Sequence, residues 1–180
     1  MNAHDPAVTK LASSPLPEPW LRGTMADVAA VPRAVLHALE LAGEDLRKWC
    51  GSLTDAELSA RPANLPPIAF HLRHIARSLD RLLTYAEGGS LTHEQLIALK
   101  DEMLPAATRE ALFAELAWAL TRSAQRVGAF ALIDLEQLRT VGKKALPTTV
   151  GGLLVHVADH TQRHVGQAIT TAKIVIAQRT

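Results

Sequence analysis

The sequence predicts an all-α protein, a four-helix bundle with short additional helices in its connections. Apolar residues recur at intervals of three and four along four long stretches, which is the spacing of one buried helix face. Proline, glycine or capping residues bound these stretches. No pair of segments alternates apolar and polar residues convincingly, and no stretch is repeated. A chain of 180 residues is long enough to bury one core, although the pattern leaves the order of the helices open.

Residues 1–22 are predicted to be a flexible lead-in, and residues 23–180 to form the bundle domain. Proline fixes φ and removes an amide donor, which disfavours regular structure in the lead-in. The prolines concerned are Pro6, Pro15, Pro17 and Pro19. The first long helix is predicted over about 32–50. Pro32 is tolerated in its first turn, where the missing N–H costs little, and Gly51 marks its end.

Capping and helix-breaking residues locate the next two helices. Thr54 and Glu57 form a capping box, which predicts a short helical turn that ends before Pro62. The second long helix is predicted to begin at Pro66-Pro67 and to end at Gly88-Gly89. Its apolar stripe comprises Leu65, Ile68, Leu72, Ile75, Leu79, Leu82 and Leu83.

The same signals continue along the chain. Thr92 and Gln95 form a second capping box, for a short helix to about Met103. Thr108 is the predicted cap of the third long helix, which runs to about Phe130.

Residues 132–146 are predicted to be a mixed connector, with room for one turn of helix at 135–138. The last long helix is predicted to begin after Thr148 or Thr149 and to run to about Ile176. Each of the four long helices has one apolar face, and burying those faces against each other makes a bundle.

Composition narrows the possible functions. A net charge of +1 without a basic stripe predicts no nucleic-acid partner. Cys50 is the only cysteine, which excludes a disulfide framework and a cysteine-rich zinc module. No apolar run approaches the roughly 20 residues of a membrane span, and no signal-peptide pattern precedes the lead-in. We therefore expect a cytoplasmic protein without a membrane partner.

The most informative stretch contains three histidines at intervals of four: His156, His160 and His164. Residues i and i+4 of a helix lie on one face, so an adjacent pair can bind one metal ion. His156 and His164 diverge by about 80° after eight residues, which disfavours them as ligands of one ion. The pair is therefore 156/160 or 160/164, and the second long helix offers His71 or His74 as a third ligand. Spacing alone does not decide between them.

Three imidazole ligands leave coordination positions open, as in catalytic rather than structural zinc sites. Water at such an ion can ionise near neutral pH, and a thiol can ionise to a thiolate. All-imidazole ligation suits Zn²⁺, Ni²⁺, Cu²⁺ or Fe²⁺. The residue after His160 is Thr161, so the general base of an H-E-x-x-H site is missing.

Five further residues are candidates for the surroundings of this site. His71 is expected to line a pocket or to pack, if it is not a ligand. His156 is expected in an outer or pocket position. Gln167 is expected either near the metal or in helix packing, and Gly166 should let a neighbouring helix or backbone come close. Arg81 lies on roughly the face of the second-helix histidines and holds either an anionic substrate or a salt-bridge partner.

Two motifs carry a family resemblance: His71-Leu-Arg-His74-Ile-Ala-Arg-Ser-Leu-Asp80-Arg81 and His160-Thr-Gln-Arg-His164-Val-Gly166-Gln167. With them the chain resembles the DinB/YfiT-like superfamily of four-helix-bundle metalloproteins, over about residues 25–176. The resemblance implies that His74, His160 and His164 bind one divalent ion, usually zinc or nickel. It selects His74 because the family's ligand stands in a His-Ile-Ala context.

Thr161 and Val165 depart from the family's commonest pattern, in which a glutamate and an arginine occupy these positions. The ligands are kept, but their surroundings differ, and the substrate need not be the same.

The resemblance also implies an activity. The expected function is a metal-dependent enzyme that activates a low-molecular-weight thiol, such as bacillithiol or mycothiol, or a water for attack on a small electrophilic substrate. The alternatives are a metal-dependent hydrolase and, in a different class, a non-catalytic metal-binding stress-response protein. A histidine-lined core without a metal is a third. The resemblance further implies a homodimer.

Overall fold

The computed structural model describes residues 16–104 and 108–179 of the chain. Its described part contains six α-helices and one two-stranded sheet. The helices are α1 (Ala30–Cys50), α2 (Asp55–Ser59), α3 (Ile68–Ala86), α4 (His93–Lys100), α5 (Arg109–Gly128) and α6 (Val150–Ala177), and the strands are β1 (Leu138–Val141) and β2 (Leu146–Thr149). The all-α prediction is confirmed, since the four long helices form the body of the molecule and α2 and α4 lie in its connections.

The long helices pack around one core. α1 and α3 lie diagonally across the bundle, and each of them contacts both α5 and α6. The buried face of α1 recurs every three or four residues, through Val35, Leu39, Ala42, Leu46 and Cys50, as the sequence pattern indicates. Each such face is removed from water by its two neighbours, and this burial is the main source of stability.

The capping residues begin the helices where the sequence predicted. Thr54 and Glu57 exchange both hydrogen bonds of a capping box, and Thr92 and Gln95 do the same at α4. Thr149 caps α6, its Oγ1 accepting from the Gly152 amide at 3.1 Å. Thr149 is therefore the cap of the last helix. α4 ends at Lys100, earlier than predicted, and turns follow it.

The connector before α6 contradicts the prediction. Instead of a helical turn at 135–138 the chain forms an antiparallel hairpin, in which Leu138 pairs with Thr149 and Val141 with Leu146. The expectation that no two segments pair as strands was wrong as well. In most strands of this kind the apolar side chains point inward and the charged ones outward. Here the order is reversed, because Leu138 is exposed while Arg139 turns inward and donates to the Ala86 carbonyl at 2.8 Å. A strand with its arginine inside gives no amphipathic signal.

The lead-in predicted over 1–22 lies partly outside the described residues, which begin at 16. Its described end contains a short 3₁₀ turn, Pro19–Leu21. Arg22 then bonds to Glu40 at 3.0 Å and to Glu44 at 2.7 Å, which ties this segment to α1. None of the helices in the described part of the chain is long and apolar enough to span a membrane.

Candidate metal centre

The packing of α3 against α6 brings the two histidine clusters of the sequence together. His71 and His74 come from α3, and His160 and His164 from α6. His71 is buried and the other three are partly buried. Four imidazole rings therefore face one another at this helix interface, and adjacent ring centroids lie 4.3–5.3 Å apart.

Three of these histidines form a group that can hold one metal ion. One ring nitrogen from each of His74, His160 and His164 lies within 4.8 Å of the other two. The Nε2 atoms of His74 and His160 are 3.2 Å apart. Two nitrogens bound to one tetrahedral zinc ion at about 2.05 Å are separated by about 3.3 Å. The donor set and this spacing therefore fit a divalent ion.

The Nδ1 atoms of the three rings face outer partners. Nδ1 of His74 donates to Glu102 Oε2 at 2.7 Å, and Nδ1 of His164 lies 3.1 Å from Nδ1 of His71. Nδ1 of His160 lies 3.4 Å from Ser78 Oγ, a longer and weaker contact. A hydrogen bond at one imidazole nitrogen fixes the tautomer and leaves the other nitrogen for a metal. These contacts at Nδ1 leave the Nε2 atoms of His74 and His160, which lie 3.2 Å apart, available to a metal ion.

Glu102 was not found from the sequence, although it is the most constrained carboxylate near the histidines. It follows α4, is only 4% exposed, and its Oε1 accepts from Arg81 Nη1 at 2.7 Å. Burial raises the pKa of Glu102, but the hydrogen bonds from His74 and Arg81 outweigh this, so the pKa lies below its usual value. No residue of α4 itself is buried, so no apolar face signalled that the chain turns inward at this point.

Three histidines of the cluster are poor bases. Burial, reinforced by neighbouring positive charge, lowers the pKa of His71, His160 and His164 to about 4 in the absence of a metal. At neutral pH these imidazoles are therefore uncharged. A neutral imidazole has the free lone pair that a metal ligand needs, so a cation does not have to displace protons from these three rings.

The other residues that the sequence singled out around the site lie outside the group of three histidines. Arg81 is buried and holds Glu102, so of its two predicted roles the structure shows the salt bridge. The side chain of His156 is 47% exposed and its ring centroid lies 5.4 Å from that of His160, outside the group of three. Gln167 is exposed and lines a cavity beside His71. The prediction that Gly166 lets a neighbouring helix or backbone come close was wrong, because within the described part of the chain a Cβ there would meet no atom of another element within 4 Å.

The fold and the histidine group together define a helical bundle with a candidate metal site between two of its long helices. A family model described as DinB superfamily matches residues 38–168, which include all three histidines and Glu102. The chain belongs to the DinB superfamily, as its motifs predicted. Neither the curated proteins nor the solved structures gave a match. The homodimer, the small-molecule substrate and the cytoplasmic location stay predictions.

Proposed function

We propose that the protein is a divalent-metal-dependent enzyme in which His74, His160 and His164 hold one zinc or nickel ion. The observation that carries this proposal is the meeting of three imidazole nitrogens from two helices, within 4.8 Å of one another. Membership of the DinB superfamily supports the same three residues. Three protein ligands leave at least one position for a reactant, which favours a catalytic role.

The surrounding residues prepare this site before any ion arrives. Glu102 and His71 orient two of the ligand rings, and Arg81 keeps Glu102 ionised and in place. The depressed pKa of His160 and His164 keeps both rings neutral near pH 7. A site whose ligands are already oriented loses little entropy when it binds a metal.

When bound, the ion would act as a Lewis acid that lowers the pKa of a thiol or of a water. We favour a low-molecular-weight thiol as the nucleophile, in line with the family resemblance. A free thiol already ionises near pH 8.5, so it needs no strong base. The hydrogen bonds from His74 and Arg81 lower the pKa of Glu102, which makes this carboxylate a weaker general base for water. The sulfur of such a thiol would form a bond to an electrophilic carbon while the bond from that carbon to its leaving group breaks and the leaving group takes the electron pair, which is a transfer reaction.

Metal content tests the ligand assignment. The tag-free protein and its His160→Ala and His156→Ala variants are purified in parallel, incubated with Zn²⁺ or Ni²⁺, desalted and measured by inductively coupled plasma mass spectrometry. We expect about one ion per chain in the wild type and in His156→Ala, and loss of the ion in His160→Ala. His156 is a matched control, because it lies one turn away on the same helix. No stoichiometric metal in the wild type would overturn the proposal.

A second assay separates the reaction classes. The metal-loaded protein is incubated with electrophilic probes in the presence and absence of bacillithiol, mycothiol and glutathione. Turnover only with a thiol supports the transferase, whereas turnover without one indicates a hydrolase. Full metal occupancy without turnover in either arm indicates a non-catalytic metal-binding protein.

A further inference from the structure

A cavity of about 410 Å³ lies next to the histidine cluster. It is bounded by the chain just before α3, at Leu65 and Pro66, and by α6 from Arg163 to Thr171. This volume falls within the range of small-molecule pockets. His71 lines the cavity while its Nδ1 contacts His164, so one side chain borders both the cavity and the candidate metal centre.

Gly166 lines the cavity and has no packing reason to be glycine. Among the described residues, an added Cβ would meet no atom outside its own helix within 4 Å, although Gly166 lies inside α6, where glycine weakens a helix. Gly43 in α1 is different, because a Cβ there would lie 3.2 Å from Leu120 Cδ1. At Gly43 the missing side chain allows two helices to pack. At Gly166 it leaves space in the cavity and nothing of the described protein fills that space.

The cavity has an apolar end and a polar end. Leu65 and Pro66 supply apolar surface, and Arg163 and Gln167 supply N–H donors. Arg163 uses Nη2 for Asp159, which leaves its other donors for a ligand. Gln167 is exposed and makes no hydrogen bond within the described part of the chain. A guanidinium and an amide at the edge of an apolar cavity suit a carboxylate joined to an apolar body.

We propose that this cavity is the substrate subsite and that it binds a small molecule with an apolar body and a carboxylate. The body lies over Gly166 between Leu65 and α6, and the carboxylate meets Arg163 and Gln167. The part of the molecule next to His71 is the part nearest to the histidine cluster. The term substrate rests on the proposed metal-dependent function, whereas binding of the carboxylate depends on the cavity alone.

Binding of three matched probes tests the subsite. Phenylacetate, phenylacetamide and phenethylammonium share an aromatic body and differ in the charge of the polar end. Their dissociation constants are measured by ¹H–¹⁵N chemical-shift titration on metal-free and zinc-loaded protein. We expect phenylacetate to bind at least about tenfold more tightly than the other two, in both forms. Equal affinity for all three probes would overturn the carboxylate assignment.

A variant that fills the cavity is the decisive test of the subsite. Gly166→Leu places a side chain in open space, and we expect it to weaken phenylacetate binding at least about tenfold. Gly128→Leu is the control, because Gly128 is also helical and exposed, has no atom near an added Cβ, and lies outside the cavity. Binding that is insensitive to Gly166→Leu, or that requires zinc, would place the probe elsewhere and overturn the inference.

The polar end is tested in the same titration with Arg163→Gln, which should reduce the preference for phenylacetate over phenylacetamide. Asp159→Asn is the control, because it breaks the same ion pair but keeps the guanidinium.

Metal content is measured on every sample. Loss of the probe with full metal occupancy in Gly166→Leu supports the subsite. Probe binding in a wild type that takes up no metal supports the subsite and overturns the metal-dependent function alone.

Discussion

The α3–α6 interface and the α1–α5 interface of the same bundle show how differently two helix pairs can be used. A cavity of about 470 Å³ lies between α1 and α5, larger than the one of about 410 Å³ beside the histidines. Its described lining contains no histidine, and its carboxylates, the exposed Glu40 and the half-buried Glu44, are paired with Arg22. At the α3–α6 interface the polar groups are buried or partly buried and contact one another. Cavity size therefore does not identify the site, whereas organised titratable groups do.

The largest expected contrast concerns the carboxylates of the two interfaces. Glu102→Ala leaves the Arg81 guanidinium buried without its partner, and we expect the free energy of unfolding to fall by about 3 kcal/mol. Glu44→Ala should have a far smaller effect, because the Glu44 side chain is 40% exposed and water screens its ion pair. Urea denaturation of the metal-free proteins measures both values, and similar losses would contradict the contrast.

Glu102→Gln separates the two roles of this residue. It keeps the shape of the side chain but replaces the carboxylate that orients His74, so we expect metal affinity to fall about 10–100-fold. The neighbouring Asp101→Asn is the control, because it removes a carboxylate from the same segment without touching the histidines. Metal affinity is measured by competition with a chromogenic chelator. An unchanged affinity in Glu102→Gln would show that the carboxylate does not orient the ligand.

The next contrast is the pH dependence of stability. His71, His160 and His164 have a pKa of about 4 in the folded, metal-free protein and about 6.5 when unfolded. Between these values the unfolded chain binds more protons, so the free energy of unfolding falls as the pH is lowered from about 6.5 towards 4. Below pH 4 these three groups add no further loss.

Urea denaturation of metal-free protein at pH 7.5 and pH 5.5 measures this loss above the range in which carboxylates titrate. His71→Gln should reduce the difference, because one of the three depressed histidines is removed. His37→Gln, on α1, is the control for the loss of a histidine outside the cluster. A pH difference that His71→Gln does not reduce would contradict the assignment to the buried cluster.

The same structural differences explain how much of the fold could be predicted from the sequence. The long helices followed from local signals, since each apolar face and each cap lies within a few residues of the chain. Thr54, Thr92 and Thr149 begin their helices for this reason. The hairpin was missed because Arg139 points inward to the Ala86 carbonyl, a partner 53 residues away that no local pattern reveals.

The candidate site was predictable only in part. The i, i+4 spacing on one helix identified His160 together with either His156 or His164 without knowledge of the fold, and the family motif selected His164. The choice of His74 over His71 needed the family motif, because spacing leaves both on one side of α3. Glu102 could not be found, since its role depends on how α4 docks. That docking is polar, and Arg77 donates to the Ala98 carbonyl at 2.7 Å without any apolar pattern in α4.

The smallest expected effect compares a glycine from each side of the bundle. Gly166→Ala should raise the free energy of unfolding by about 0.5–1 kcal/mol, because alanine favours the helix and its methyl group meets no atom within 4 Å. Gly43→Ala should gain less, since its methyl group would lie 3.2 Å from Leu120 Cδ1 and force that side chain to move. Thermal denaturation at fixed pH ranks the two variants, and a larger gain at Gly43 would contradict this reasoning. Gly166→Ala is informative if it is more stable than the wild type and yet binds phenylacetate more weakly. The glycine then keeps the cavity open at the expense of helix stability. Such a loss of stability is expected at a binding site and not at a packing position.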